Sequence, residues 1–143
     1  MRIKILCVGK IKDRALLSKT EEYLKRIKHD CSIEITEIKD SDMESEGKRI
    51  RESISRDSRY IVALGEEGRQ YSSKDFAFVL CRHPEITLII GGPSGLSDTV
   101  KKSSNELLSL SRMTFTHEMA RLFLIEQIYR AISIINNRKY HKE

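Results

Sequence analysis

Hydrophobic and polar residues follow two different periods along this chain, one typical of strands and the other typical of helices. Apolar runs or two-residue alternation predict strands at residues 3–8, 32–38, 60–64 and 86–90, with a short extended segment at residues 108–113. Helical spacing predicts helices at residues 14–28, 43–57 and 117–136, and further helices are expected after Ser72 or Ser73 and after Ser97. Strands that alternate with helices indicate an α/β fold, with a mainly parallel sheet and helices on both faces.

Glycines mark the points where the two most apolar strands end. Gly65 follows the strand at residues 60–64, and residues 66–68 are predicted to form a turn. Gly91 follows the strand at residues 86–90, and neither strand shows polar alternation, as burial on both faces requires. The chain has no internal repeat and no linker, so we predict one domain over residues 1–143.

The last predicted helix is apolar over an unusually large part of its circumference. Such a helix needs two surfaces to pack against, since one narrow apolar stripe suffices for a helix that covers a sheet from one side. One surface is the chain's own sheet. We expect the other to be a second copy of the chain, which predicts a homodimer.

Composition narrows the class of protein only moderately. The chain has 143 residues, 39% of them hydrophobic, and a net charge of +5, which permits a nucleic-acid partner without requiring one. Its three cysteines include no C-x-x-C pair, so we expect reduced thiols in a cytoplasmic protein and no metal site. No apolar run approaches the roughly 20 residues that span a bilayer, so we expect no membrane partner.

The glycine-rich segment at residues 91–95 comes where open α/β sheets bind ligands, after the carboxyl end of a buried strand. Its glycines let backbone groups approach a ligand, although neither the G-x-G-x-x-G spacing nor the Gly-Lys-Ser/Thr of a P-loop is present. Pro93 also lacks the N–H that a phosphate cradle would use. From these residues alone, a plain tight turn is the simpler interpretation.

The long helix and the tail after it carry other residues that could act in catalysis or bind RNA. His117 at its start is suited to act as a base or a hydrogen-bond donor, although a lone surface histidine is the plain alternative. Arg130 stands four residues after Glu126, the spacing of a structural ion pair. Tyr140 and His141 lie in a basic tail, which offers cations for phosphates and an aromatic ring for a base.

Several short segments in a fixed order carry a likeness to a known family. They are LIIGGPSGL at residues 88–96, SLSRMTFTH at 109–117, LIEQIYRA at 124–131 and YHK at 140–142, with VGK at 8–10 and EG at 46–47. In this order they closely resemble the RlmH family, which comprises bacterial large-subunit rRNA pseudouridine N3-methyltransferases of the SPOUT superfamily. The likeness extends over essentially the whole chain.

The resemblance implies a fold and an activity. It implies a C-terminal trefoil knot in the α/β domain, S-adenosylmethionine held in the knot by three loops, and a homodimer that completes each active site. It also implies methylation of N3 of a pseudouridine in a 23S rRNA hairpin within an assembled 70S ribosome. A ribosome-binding factor that keeps the fold without catalysis is the alternative, and a nicotinamide-dependent oxidoreductase is disfavoured because its glycine fingerprint is missing.

The resemblance also assigns roles to particular residues. The cofactor loops are expected at Leu64, at Gly91, Gly92 and Gly95, and at Leu110, Ser111, Arg112, Met113, Thr114 and Phe115. The substrate side of the pocket is expected to comprise His117, Arg130, Tyr140 and His141. Arg130 would stabilise the uracil-like anion, and either His117 or His141 would take the proton from N3.

Overall fold

The structure is a computed structural model that describes residues 1–142. Its strands are β1 (Arg2–Val8), β2 (Ser32–Ile38), β3 (Tyr60–Gln70), β4 (Glu85–Ile90) and β5 (Glu106–Ser109). Its helices are α1 (Arg14–Ile27), α2 (Met43–Ile54), α3 (Ser73–Arg82), α4 (Asp98–Lys102) and α5 (His117–Ile135). All strand pairs are parallel, in the order β2-β1-β4-β3-β5, so the α/β fold with a parallel sheet is confirmed.

Each helix begins at a side chain that accepts a hydrogen bond from the first turn. The capping residues are Asp13, Asp42, Ser72, Ser97 and Thr116. Ser72 and Asp75 together form a capping box, in which each side chain bonds the other's backbone N–H. These short polar side chains satisfy N–H groups that have no partner inside the helix. The local sequence therefore determines where each crossover connection enters its helix.

Two hydrophobic cores cover the two faces of the sheet. Successive side chains of a strand point to opposite faces, so Ile5 and Leu88 belong to one core while Leu6 and Ile89 belong to the other. The larger core lies under α1, α3 and α5, and the smaller lies under α2 and α4. All four of these strand residues are fully buried, which explains the absence of polar alternation in the central strands.

The apolar circumference of α5 has partners within the same chain. This helix packs between α1 and α3 and also contacts β4. Leu124, Ile125 and Ile128 are fully buried there, whereas Leu122 and Phe123 stay partly exposed. Neighbouring helices therefore cover part of the surface that the pattern assigns to a second copy, and the homodimer stays a prediction.

The predicted turn at residues 66–68 is wrong. β3 continues to Gln70, and both Leu64 and Arg69 are register partners of Leu108 in β5. The backbone at Gly68 passes so close to β5 that a Cβ would lie 2.7 Å from the main-chain carbon of Leu107. Gly68 allows two backbones to pass close to each other, and the sequence pattern cannot distinguish this use of a glycine from a turn.

Two other boundaries differ from the prediction. The extended segment expected at residues 108–113 is wrong in its position, because β5 comprises Glu106–Ser109 and the residues after it form a loop. That strand reaches back to Glu106 because Tyr60 donates a hydrogen bond to its carboxylate and Val62 is its register partner. Helix α2 ends at Ile54, before the end expected at residue 57, where Asp57 turns back to bond β4.

Candidate active site

The carboxyl ends of β4 and β5 and the middle of β3, at residues 64–67, border one cleft of about 790 Å³. These strands are neighbours in the sheet, with β3 between the other two, and parallel strands present their carboxyl ends at the same edge. Because β3 continues past Leu64, the prediction that its strand ends there is wrong. Nine of the ten residues expected to bind the cofactor border this cleft: Leu64, Gly91, Gly92, Gly95, Leu110, Ser111, Met113, Thr114 and Phe115. Three segments that are distant in sequence therefore meet in one place.

Arg112 is the tenth residue of that set and does not border the cleft. Ser111 Oγ accepts a hydrogen bond of 3.0 Å from the N–H of Met113, which closes a tight turn with Arg112 at its apex. Arg112 is exposed in this position. Arg112 therefore lies outside the cleft lining, and its contribution to the cofactor site stays a prediction.

The segment at residues 91–95 forms a narrow turn at the floor of the cleft. Gly95 donates a backbone hydrogen bond of 2.9 Å to the carbonyl of Gly92 and has φ +78°, a conformation that favours glycine. A Cβ on Gly91 would lie 2.7 Å from the main-chain carbon of Gly95. The turn therefore presents backbone rather than side chains to the cleft, as a ligand held by backbone hydrogen bonds requires.

The loop between β5 and α5 supplies the apolar wall. Met113 and Phe115 are exposed, at 75% and 37%, although both are large hydrophobic residues. Phe115 contacts Phe123 of α5 edge-on, with 5.0 Å between ring centroids. Exposed apolar residues that border a cleft are typical of a site that covers an apolar ligand group.

His117 lies at the wall of the cleft, in the first turn of α5. Its Nε2 atom is 3.7 Å from the point where a Cβ on Gly9 would stand, so the ring faces the end of β1. Four residues later, Arg121 is 4% exposed and donates to Glu37 and to the carbonyl of Gly9, at 2.8 Å each. Arg121 therefore fixes the backbone against which His117 lies, a role that sequence reasoning missed.

Arg130, Tyr140 and His141 form a separate group that we call the tail cluster, together with Glu126 and Tyr23. Glu126 Oε1 accepts hydrogen bonds from Arg130 at 2.6 and 3.1 Å and from the Tyr140 hydroxyl at 2.9 Å. Tyr140 also bonds the Tyr23 hydroxyl at 3.0 Å, and Arg130 lies 3.3 Å from His141 Nδ1. Glu126 thus holds the C-terminal tail against α5.

Electrostatics determine the protonation of Arg130 and Tyr140 in the tail cluster at neutral pH. The hydrogen bond with Glu126 raises the pKa of Arg130, so the guanidinium stays charged. Burial, followed by hydrogen bonds with Tyr23 and Glu126, raises the pKa of Tyr140. The Tyr140 hydroxyl is therefore a hydrogen-bond donor and not a base.

The cleft and the tail cluster lie at different ends of α5. His117 and Arg130 are thirteen positions apart, which corresponds to about 20 Å along a helix axis. Arg130, Tyr140 and His141 accordingly lie outside the lining of the cleft in the same chain. The structure brings His117 together with the cofactor residues and leaves the other three candidate catalytic residues apart from them.

Three further features of the described part of the chain concern metal ions, a thiol and membranes. Residues 1–142 contain no group of three or more His, Cys, Asp or Glu side chains that could hold a metal ion. Burial raises the pKa of the Cys7 thiol to about 11, so it is protonated at neutral pH. Within the same residues, no helix is both long enough and apolar enough to cross a membrane.

Comparison with known proteins relates this arrangement to a family. A family model described as "Predicted SPOUT methyltransferase" matches residues 1–141. Proteins named ribosomal RNA large subunit methyltransferase H are similar over the whole chain. The one from Acholeplasma laidlawii is 46% identical and covers 99% of this chain and 100% of its own length. The one from Porphyromonas gingivalis is 39% identical and covers all of both chains.

Solved structures support the fold. A probable methylase family protein from Haemophilus influenzae Rd KW20 superposes with a TM-score of 0.60 at 13% identity. The match covers 99% of this chain and 70% of that protein's chain. A probable methyltransferase from Bordetella pertussis Tohama I has a TM-score of 0.57 at 8% identity, covering 92% of this chain and 96% of its own. With the family model and full-length relatives in agreement, the chain belongs to the SPOUT methyltransferase family.

Proposed function

We propose that this chain is a cytoplasmic S-adenosylmethionine-dependent methyltransferase that acts on N3 of a pseudouridine in a 23S rRNA hairpin of the assembled 70S ribosome. Relatives at 39–46% identity that span their full lengths carry the name of a large-subunit rRNA methyltransferase. The single observation that carries the proposal is the cleft, in which nine expected donor-binding residues meet beside His117.

The cleft fits the methyl donor in size and chemistry. Its volume of about 790 Å³ lies in the range of roughly 300–1,000 Å³ that is usual for small-molecule sites. Leu64, Leu110 and Phe115 offer apolar walls for an adenine ring, and the glycine turn offers backbone groups without a Cβ. When bound, S-adenosylmethionine supplies an electrophilic methyl group on a sulfonium.

The chain's own residues then have to position N3 of the pseudouridine beside that methyl group and remove its proton. N3 of the base loses its proton before it can attack, and the resulting anion is stabilised by a nearby cation. Arg130 is suited to this because its guanidinium stays charged and presents several donors. His117 in the cleft and His141 in the tail cluster are the two candidates to accept the proton.

The separation of about 20 Å along α5 supports a role for a second copy of the chain. In a homodimer, the tail cluster of one protomer would close the cleft of the other. Each active site would then contain His117 and the donor from one chain, and Arg130, Tyr140 and His141 from its partner. The proposal thus joins two groups that a single chain holds apart.

Labelled methyl transfer to ribosomes from a strain that lacks the modification tests the proposed function. We expect tritium from labelled S-adenosylmethionine to enter the large-subunit rRNA at one pseudouridine, and the isolated hairpin to be a much poorer substrate than intact ribosomes. Ribosome binding without any transfer would instead support the non-catalytic factor. Equal rates on hairpin and ribosome would contradict the requirement for an assembled substrate.

A further inference from the structure

A second pocket of about 580 Å³ adjoins the donor cleft, and the two share Pro93, His117 and Glu118 as walls. It lies beyond the carboxyl ends of β1 and β2, which are neighbours at the other side of the sheet. Lys10 and Lys12 follow β1 and Lys39 follows β2, so three cations line it. We call it the lysine pocket.

The three lysines are exposed and form no ion pair. In the part of the chain that the structure describes, no carboxylate lies within 4.0 Å of the Nζ atom of Lys10, Lys12 or Lys39. Elsewhere, Lys19 and Lys101 do form such pairs, at 3.3 and 2.5 Å. The three ammonium groups therefore surround one concave surface without being held by a carboxylate.

The carboxylates of the lysine pocket already have other partners. Glu37 accepts a hydrogen bond of 2.8 Å from the buried Arg121. Glu118 accepts from the backbone N–H groups of Asp13 and Lys12, at 3.1 and 2.6 Å, and these bonds lower its pKa. Asp40 shares a hydrogen bond with the buried Glu46 carboxyl, whose pKa is raised by burial first and by Asp40 in addition. With Arg121 included, four cations stand against the three carboxylates that line the pocket, so its charge balance is positive by one.

We infer that the lysine pocket binds backbone phosphates of the rRNA strand beside the target nucleotide, an inference that rests on the proposed function. Ammonium groups are suited to phosphates as point charges, and phosphate contacts position a nucleic acid without reading its sequence. No aromatic ring except that of His117 lines the pocket, so it offers no stacking surface for a base. Its shared wall with the cleft places such a phosphate next to the reacting base.

The test compares two triple variants of the full-length protein. K10Q/K12Q/K39Q removes the three charges, and K28Q/K48Q/K102Q removes three exposed lysines that border neither the cleft nor the lysine pocket. We expect the first variant to raise the KM for ribosomes at least tenfold with kcat kept. The slope of log affinity against log salt should fall by about two to three, since each of the three lost phosphate contacts lowers it by about 0.7–0.9. The control should match wild type.

Further measurements separate failure of this inference from failure of the proposed function. Calorimetry with S-adenosylmethionine should give the same affinity for both variants and wild type. A lowered donor affinity with an unchanged KM for ribosomes would overturn the inference, because it would mean that the lysines hold the donor's carboxylate. An unchanged KM together with an unchanged salt slope would overturn it as well. If wild type transfers no methyl group, filter binding of both variants to ribosomes still tests the phosphate contacts.

Discussion

Glu126 connects residues that are far apart in sequence, and the sequence shows only one of its contacts. The spacing to Arg130 predicts the ion pair, which the structure confirms. The hydrogen bond to Tyr140 and the contact between Tyr140 and Tyr23, 117 positions earlier, have no signature in local spacing. Arg121 could have been suspected, because a charged residue stands among the apolar positions of α5. Its partner Glu37, 84 positions away, could not.

Replacing Arg130 tests the cation that the proposal places at the reacting base. Arg130→Ala should lower kcat for methyl transfer by about 100- to 1,000-fold, as the loss of one preorganised transition-state donor does. The affinity for S-adenosylmethionine should not change, because Arg130 lies outside the cleft. Lys139→Ala, an exposed neighbour in the tail, serves as the control. Near-normal kcat in Arg130→Ala would rule out its role at the anion.

Replacing Gly91 tests the glycine turn. In Gly91→Ala the new methyl group would lie 2.7 Å from the Gly95 main chain, so the turn must move. We expect the free energy of unfolding to fall by about 1–3 kcal/mol, and donor affinity by at least about tenfold, which corresponds to about 1.4 kcal/mol. Calorimetry and denaturant unfolding measure the two effects.

Gly65→Ala is the matched control for that variant. It lies in the same cleft, but its methyl group would meet the ends of the Glu67 and Leu107 side chains, at 3.0 and 3.1 Å. Flexible side-chain ends can move where backbone cannot, so a smaller loss of donor affinity is expected. Equal losses in the two variants would show that backbone proximity at Gly91 is not the cause.

At the scale of elements, the sequence predicts best where one physical rule dominates. The strand at residues 86–90 is fully covered on both faces, and its apolar run alone identifies it. The end of β3 depends on β5, because Arg69 and Gln70 of β3 pair with residues of β5. The local sequence pattern carries no information on such pairing, so it predicts a turn where the strand in fact continues past Gly68.

Asp57 links the end of α2 to the central strand β4. It accepts a hydrogen bond of 2.6 Å from Thr87 and one of 3.0 Å from the backbone N–H of Arg59. Burial opposes its charge, but these hydrogen bonds and the nearby charges of Arg59 and Lys4 together outweigh burial and hold the pKa of Asp57 below its usual value. The ionised form therefore stabilises the native state at neutral pH.

Asp57→Asn should lower the free energy of unfolding by about 1–3 kcal/mol at pH 7, since charged hydrogen bonds are lost. A lowered native pKa means that wild type loses this contribution as pH falls below about 4, while the variant has none to lose. Wild type and variant should therefore converge in acid. Denaturant titrations at several pH values measure this, and a constant difference down to pH 2 would contradict the assignment.

At the scale of the whole molecule, topology determines where chemistry can occur. The order of the sheet gathers the loops after β4 and β5 and the middle of β3 at one cleft, and the length of α5 separates that cleft from the tail cluster. The parallel α/β fold follows from alternating periods, whereas no periodicity in the sequence shows how the chain threads through itself. The trefoil knot therefore stays a prediction that rests on the family resemblance, and the homodimer stays one that rests on the resemblance and on the apolar surface of α5.

Complementation between two impaired variants is the direct test of the composite site. Gly91→Ala damages the cleft and Arg130→Ala damages the tail cluster, so neither homodimer holds an intact site. In a mixed dimer, the intact cleft of one protomer meets the intact tail of the other. Unfolding and refolding a mixture allows the subunits to exchange.

We expect the refolded mixture to recover about a quarter of wild-type methyl transfer, because half of the dimers are mixed and each holds one complete site. The two variants refolded separately and then combined provide the baseline. Activity of the mixture no higher than that baseline would contradict a composite site, since it would mean that cleft and tail act within one chain.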